Sequence, residues 1–161
     1  MIKLTASQVH SVLASAVAEI GVTEVPPGSN AGPRVEEYLA TVHLPKGNPW
    51  CAGFVAWCGV QVMGSAWPVP RVGGCATLGD WAKKVGWRML NPKLGDVFLL
   101  HFPKLGRFAH TGFITDVPDA SGKWGTIEGN TSGGGSREGW GVFRQRRAFG
   151  ANDRFIRIGA P

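Results

Sequence analysis

The run Pro49–Cys58, PWCAGFVAWC, carries the side chain best suited to covalent chemistry in this sequence. Cys51 falls where an apolar helix begins, directly after Pro49 and Trp50. The first backbone N–H groups of a helix have no acceptor within it, and their field favours a thiolate over a thiol. The thiolate is the nucleophilic form of cysteine. A small buried cysteine that merely packs would fit the same residues. A base, and a group to orient that base, decide between the two.

Four histidines compete for the role of base. His10 lies beside the apolar stripe of a first helix, and His43 at a helix end, where contact with the helix dipole explains it. His101 stands close to a strand end marked by Phe102-Pro103. His110 opens the run HTGFITDV, with Gly112 allowing close backbone approach. Both His101 and His110 could serve. The orienting group is expected on a neighbouring strand. In Thr126-Ile-Glu-Gly-Asn130, Glu128 and Asn130 share one face by strand alternation, with Ile127 on the other. Either could accept the Nδ1 proton of a histidine and fix its tautomer.

Helices come first in the chain. Val9, Val12, Leu13, Ala16, Val17 and Ile20 repeat at helical spacing, with Thr5 or Ser7 as cap and Gly21 as stop. After the Pro26–Gly32 loop, Pro33 opens a short helix carrying Val35, Tyr38 and Leu39. The loop Leu44–Trp50 delivers the chain to the Cys51 helix, which runs to about Gly64, and a shorter helix is expected around Leu78–Val85. Beyond Pro92 the period changes. Gly95–Phe102, His110–Val117, Lys123–Asn130, Val142–Arg147 and Arg154–Ile158 read as short strands, with Asp119–Gly122 as a hairpin tip. This is an α+β layout.

At 161 residues the chain suits one domain, 1–161, that buries enough surface to fold without disulfides or metal. Its three cysteines cannot all pair and do not follow zinc-ligand spacing. Cys58, about two turns beyond Cys51, reads as core, and Cys75 sits in a Gly-rich loop with no assigned role. The net charge is +6 and the pI about 9.7, which favours polyanionic partners. The compact cluster Arg144, Arg146, Arg147 reads as the solvated face of a strand, and no nucleic-acid-binding motif accompanies it. No secretory leader or membrane-spanning run is legible, so synthesis in the cytoplasm without a signal peptide is expected, with any export by another route.

Taken together, WCAGFVAW, GDVFLLHF, AHTGFI, and TIEGN followed by GSREGWGVFRQRR resemble the CHAP family of cysteine, histidine-dependent amidohydrolases and peptidases. The resemblance runs from about Gly21 to Arg147. It implies a reduced papain-like fold, with N-terminal helices on an antiparallel sheet of about five or six strands, and cleavage of an amide bond in bacterial peptidoglycan. It implies Cys51 as nucleophile, His110 as base, Glu128 as its partner and Asn130 as further polar support. Glu128→Gln is expected to lower turnover and shift the acid limb of the pH–rate profile downward, because His110 would lose a proton more easily.

Some relatives hold calcium in an acidic loop before the cysteine. Here Val22–Tyr38 has only scattered Glu24, Glu36 and Glu37, and the Asp116–Asp119 segment reads as turn chemistry, so neither metal nor other cofactor is expected. Papain-like enzymes place a glutamine where this chain has Pro45. Beside the Cys51 N–H, the second oxyanion donor is therefore sought at Tyr38 or Asn48. Among seven tryptophans, Trp50, Trp140 and Trp67 flank the motifs and are candidates to line a groove for a glycopeptide. The expected partners are peptidoglycan and anionic envelope polymers, met by a monomer at the cell wall in the periplasm or outside the cell. A phage lysin released by a holin, or a delivered lytic effector, fits that expectation. The competing expectations are a catalytically silent wall-binding module of the same fold and, from charge alone, a nucleic-acid-associated protein.

Overall fold

The computed structural model describes residues 3–88 and 91–160. Helix α1 (Ala6–Ala18) begins at a reciprocal cap, in which the Thr5 hydroxyl accepts the Gln8 N–H at 3.3 Å and the Gln8 side chain accepts the Thr5 N–H at 2.9 Å. Pro33 opens α2 (Pro33–Thr41), where its fixed φ and missing N–H cost nothing. Helix α3 (Cys51–Met63) starts at the cysteine itself. Helix α4 (Cys75–Val85) begins a turn before the expected Leu78, so Cys75 is a helix-starting residue and not part of a loop. Its N-cap, Gly74, carries no side chain that could have signalled the start.

Among the described residues five strands follow: β1 (Val97–Phe102), β2 (Arg107–Ile114), β3 (Trp124–Thr131), β4 (Gly141–Arg147) and β5 (Arg154–Ile156). They form one antiparallel sheet in the order β4–β3–β2–β1–β5. The turn between β2 and β3 is built by Asp119, whose carboxylate accepts the Ser121 and Lys123 N–H groups at 2.9 and 3.1 Å. The result is the α+β architecture expected. β2 starts earlier than expected, because Arg107 and Phe108 pair with Phe102 and His101. His110 therefore lies inside the central strand and does not open it.

Helix α3 is the axis of the packing. Every residue from Cys51 to Gly59 is buried, which explains why the run is apolar on all sides. It packs on α1 and α2 and against β2 and β3. At Gly129 a Cβ would lie 2.7 Å from both Phe54 Cβ and Trp50 Cζ3, closer than any side chain allows. The missing Cβ lets the first turn of α3 rest on β3, which brings the nucleophile's helix to the strands that carry His110 and Glu128.

Candidate active site

Cys51 is the first residue of α3, and its N-cap, Trp50, provides no side-chain capping hydrogen bond to the helix. The N-terminal N–H groups of the helix are thus left for the thiol and whatever it meets. Cys51 is 3 % exposed and lines a cleft of about 310 Å³ with Asn48, Pro49, Gly73, Gly74, Cys75, Arg107, Ala109 and Arg137.

His110 reaches this thiol because β2 is irregular just before it. The β1–β2 register shifts between Leu100, which pairs with His110, and His101, which pairs with Phe108. Ala109 is the extra residue of this bulge, a device that re-aims a neighbouring side chain. His110 Nε2 lies 2.7 Å from Glu128 Oε2, with both side chains fully buried. The expected contact through Nδ1 is therefore corrected: Nε2 meets the carboxylate. Nδ1 has no hydrogen-bond partner among the described residues, which leaves it to the thiol. Gly112 makes room for this pairing, since a Cβ there would sit 3.0 Å from Glu128 Cγ.

Glu128 is held from three sides. Thr126 donates to Oε1 at 2.6 Å, and Arg147 spans both oxygens, Nε to Oε1 at 2.7 Å and Nη2 to Oε2 at 2.5 Å. Burial opposes its charge, but the Arg147 and His110 hydrogen bonds prevail and hold the carboxyl down at about 2. For His110, burial again opposes charge, while Cys51 and Glu128 outweigh it and push the imidazole up to about 9. The Cys51 thiol is held well below its usual range, first by a hydrogen bond from Cys75 and, against the cost of burial, by His110 and the Ala52 N–H. Both shifts favour a thiolate–imidazolium pair at neutral pH, and the contacts brace the imidazole with a carboxylate that is itself braced by an arginine.

Arg147 is the residue that sequence reading missed. The cluster 144–147 looked like one solvated face, yet Arg147 has the opposite strand parity to Arg144 and Arg146, and parity alone separates them. Arg146 pairs with Asp116 at 3.1 Å on the exposed side. Arg147→Ala is expected to cost about 3–5 kcal/mol of stability, because it leaves Glu128 as a buried charge without its main counter-ion. Arg147→Lys should recover part of this, and thermal unfolding of the two variants beside the parent checks it.

The structure answers the remaining expected residues one by one. At Asn130 simple strand alternation is interrupted: the β3–β4 register shifts between Glu128 and Thr131, and Asn130 adopts φ 56°. Its carboxamide is buried with neither polar atom hydrogen-bonded among the described residues. Tyr38 is fully buried and donates its hydroxyl to Glu19 at 2.5 Å, which removes it as an oxyanion donor. Trp50 is also fully buried, stacked on Tyr38 at 5.4 Å with its indole N–H on Glu24 at 2.9 Å. These two are core, because a large aromatic beside a helix start gains more from burial than from an open groove. Trp67 is buried against Gly59, and Trp140 is half-exposed against the edge of Phe143. Asn48 does line the cleft, with one amide donor bound to the Pro45 carbonyl at 3.0 Å and the other free to face a ligand. His101 lines a different cavity beside Trp87 and Phe108. Cys58 is core, and burial pushes its thiol up. Among the described residues, no group of three or more His, Cys, Asp or Glu side chains could hold a metal ion.

A protein-family model described as the CHAP domain matches residues 43–130, more than half of the chain. The match takes in Cys51, His110, Glu128 and Asn130. No curated protein and no solved structure matches the chain.

Proposed function

The chain belongs to the CHAP-domain family, whose members are amidases and peptidases acting on peptidoglycan, and from that premise we propose that it hydrolyses a peptidoglycan amide bond through a thioester on Cys51. The observation that carries the reading is the buried His110–Glu128 contact of 2.7 Å beside a thiol at a helix start. The Cys51 thiolate attacks the carbonyl carbon. The oxyanion rests on the Cys51 N–H and on the free donor of Asn48. The His110 imidazolium gives its proton to the departing nitrogen, the C–N bond breaks, and the acyl group stays on sulfur. Neutral His110 then takes a proton from water, hydroxide attacks the thioester, and the thiolate–imidazolium pair is restored.

The cleft favours an anionic acyl donor. Its charged lining residues are Arg107 and Arg137, with no carboxylate among the lining. Arg137 pairs with Glu138, and Arg107 has no ion pair among the described residues. The stem peptides of peptidoglycan carry free carboxylates that such cations attract. The site of action is then the cell wall, outside the cytoplasmic membrane.

Purified sacculi test the proposal. Incubation with the protein is expected to release soluble fragments with one new amino and one new carboxyl terminus per cut, and mass spectrometry of the fragments locates the bond. Release that survives complete alkylation of Cys51, or fragments ending only in cleaved sugar bonds, would overturn it.

A further inference from the structure

The mechanism above uses one thiol, yet the cleft holds two. Cys75 Sγ lies 3.6 Å from Cys51 Sγ, both cysteines are free and both are buried. They come from different helices, each of which begins at its cysteine and has no side-chain cap. Two sets of N-terminal N–H groups thus bear on one pair of sulfur atoms. At this separation one sulfur donates an S–H to the other, and the donor has to be assigned.

The surroundings assign it. Cys51 has a base, His110 of β2, backed by Glu128 of β3 and Arg147 of β4. Its own helix, α3, carries no charged side chain. The charged side chains nearest Cys75 are cations, Arg107 and Arg137, which cannot accept its proton. The proton of Cys51 therefore leaves for His110, and that of Cys75 stays where it is. We propose that Cys75 is a built-in hydrogen-bond donor to the Cys51 thiolate, holding the nucleophile charged and fixed in the cleft between turnovers. The same contact pushes the Cys75 thiol well above its usual range, as expected of a donor held beside a negative sulfur. A thiol beside a thiolate is a general means of lowering a cysteine's pKa. Here the two residues meet through tertiary packing, so no sequence spacing announces the pair.

The inference rests on Cys51 as nucleophile, but its test needs no wall substrate. The rate of alkylation of Cys51 by iodoacetamide is followed against pH in reduced protein, with the Cys51 peptide quantified by mass spectrometry. Cys75→Ala removes the donor, and Cys75→Val removes it while filling the space. Both are expected to raise the midpoint by about one pH unit, which is roughly tenfold slower alkylation below both midpoints. Cys75→Ser, which keeps a hydroxyl donor, should return the midpoint most of the way, and kcat/KM on soluble wall fragments should follow the same order. Folded alanine and valine variants with the parent's midpoint would overturn the proposal. Lysis that survives complete Cys51 alkylation would instead overturn the proposed function, whatever the midpoints show.

Discussion

Cys51→Ala is expected to lower amide hydrolysis by at least about four orders of magnitude while the chain folds as before. The loss is large because no other group in the cleft can form the acyl intermediate. Cys75 lies within contact of Cys51, but burial still disfavours its thiolate once Cys51 is gone, and the charged side chains lining the cleft, Arg107 and Arg137, cannot take its proton. The fold survives because alanine is the strongest helix former and the change removes one sulfur from the rim of a cleft. A cost of about 1 kcal/mol is expected. Cys51→Ser should be equally inactive, since a hydroxyl does not ionise beside an imidazole as a thiol does. Cys58→Ala is the control: that thiol lies in the core, so the variant should lose stability and keep turnover. Turnover on sacculi, with circular dichroism and thermal unfolding, checks all three. Parent-like turnover by folded Cys51→Ala would end the cysteine mechanism.

Glu128→Gln is expected to move the alkaline limb of the pH–rate profile down by about one to two pH units. The sign follows from the charge that Glu128 braces. With the carboxylate in place His110 is pushed up to about 9, so the imidazolium needed to protonate the leaving nitrogen persists until the pH rises through that value. An amide cannot stabilise the cation to the same degree, so the proton is lost at lower pH. The acid limb reports formation of the Cys51 thiolate and should move little, or upward, as the imidazolium beside it becomes less persistent. This differs from the expectation that the acid limb falls, which rested on His110 losing its proton more easily. Stability responds as well. Glu128 is held at about 2 against its usual 4.5, so its contribution is present above 4.5 and lost as pH falls toward 2. The glutamine variant should lack that acid-induced loss, while being less stable at neutral pH because Arg147 loses its partner. A pH–rate profile with an unmoved alkaline limb would show that Glu128 does not brace His110.

Cys51, His110 and Glu128 were legible because their signals are local or belong to a motif. A helix start after Pro49-Trp50 is written in neighbouring residues, and so are the runs that put His110 and Glu128 on adjacent strands. For Asn130 the same local logic stops short, since strand alternation holds only while the register holds. The bulge that breaks it is fixed by pairing with β4. Tyr38 and Trp50 have the composition of a binding groove and the surroundings of a core, and only packing tells the two apart.

What the sequence by itself determined is the order and type of the elements, the starts of α1, α2 and α3, and which side chains could ionise or attack. The tertiary structure alone decided which of them touch: Arg147 on Glu128, Nε2 and not Nδ1 toward the carboxylate, and Cys75 against Cys51. The physical reason lies in range. Helix starts and strand periods arise from steric and hydrogen-bonding preferences acting over a few residues. The Cys51–Cys75 contact exists because α3 and α4 bring their N-termini to one cleft beside the same sheet, and no preference local to either segment encodes that meeting.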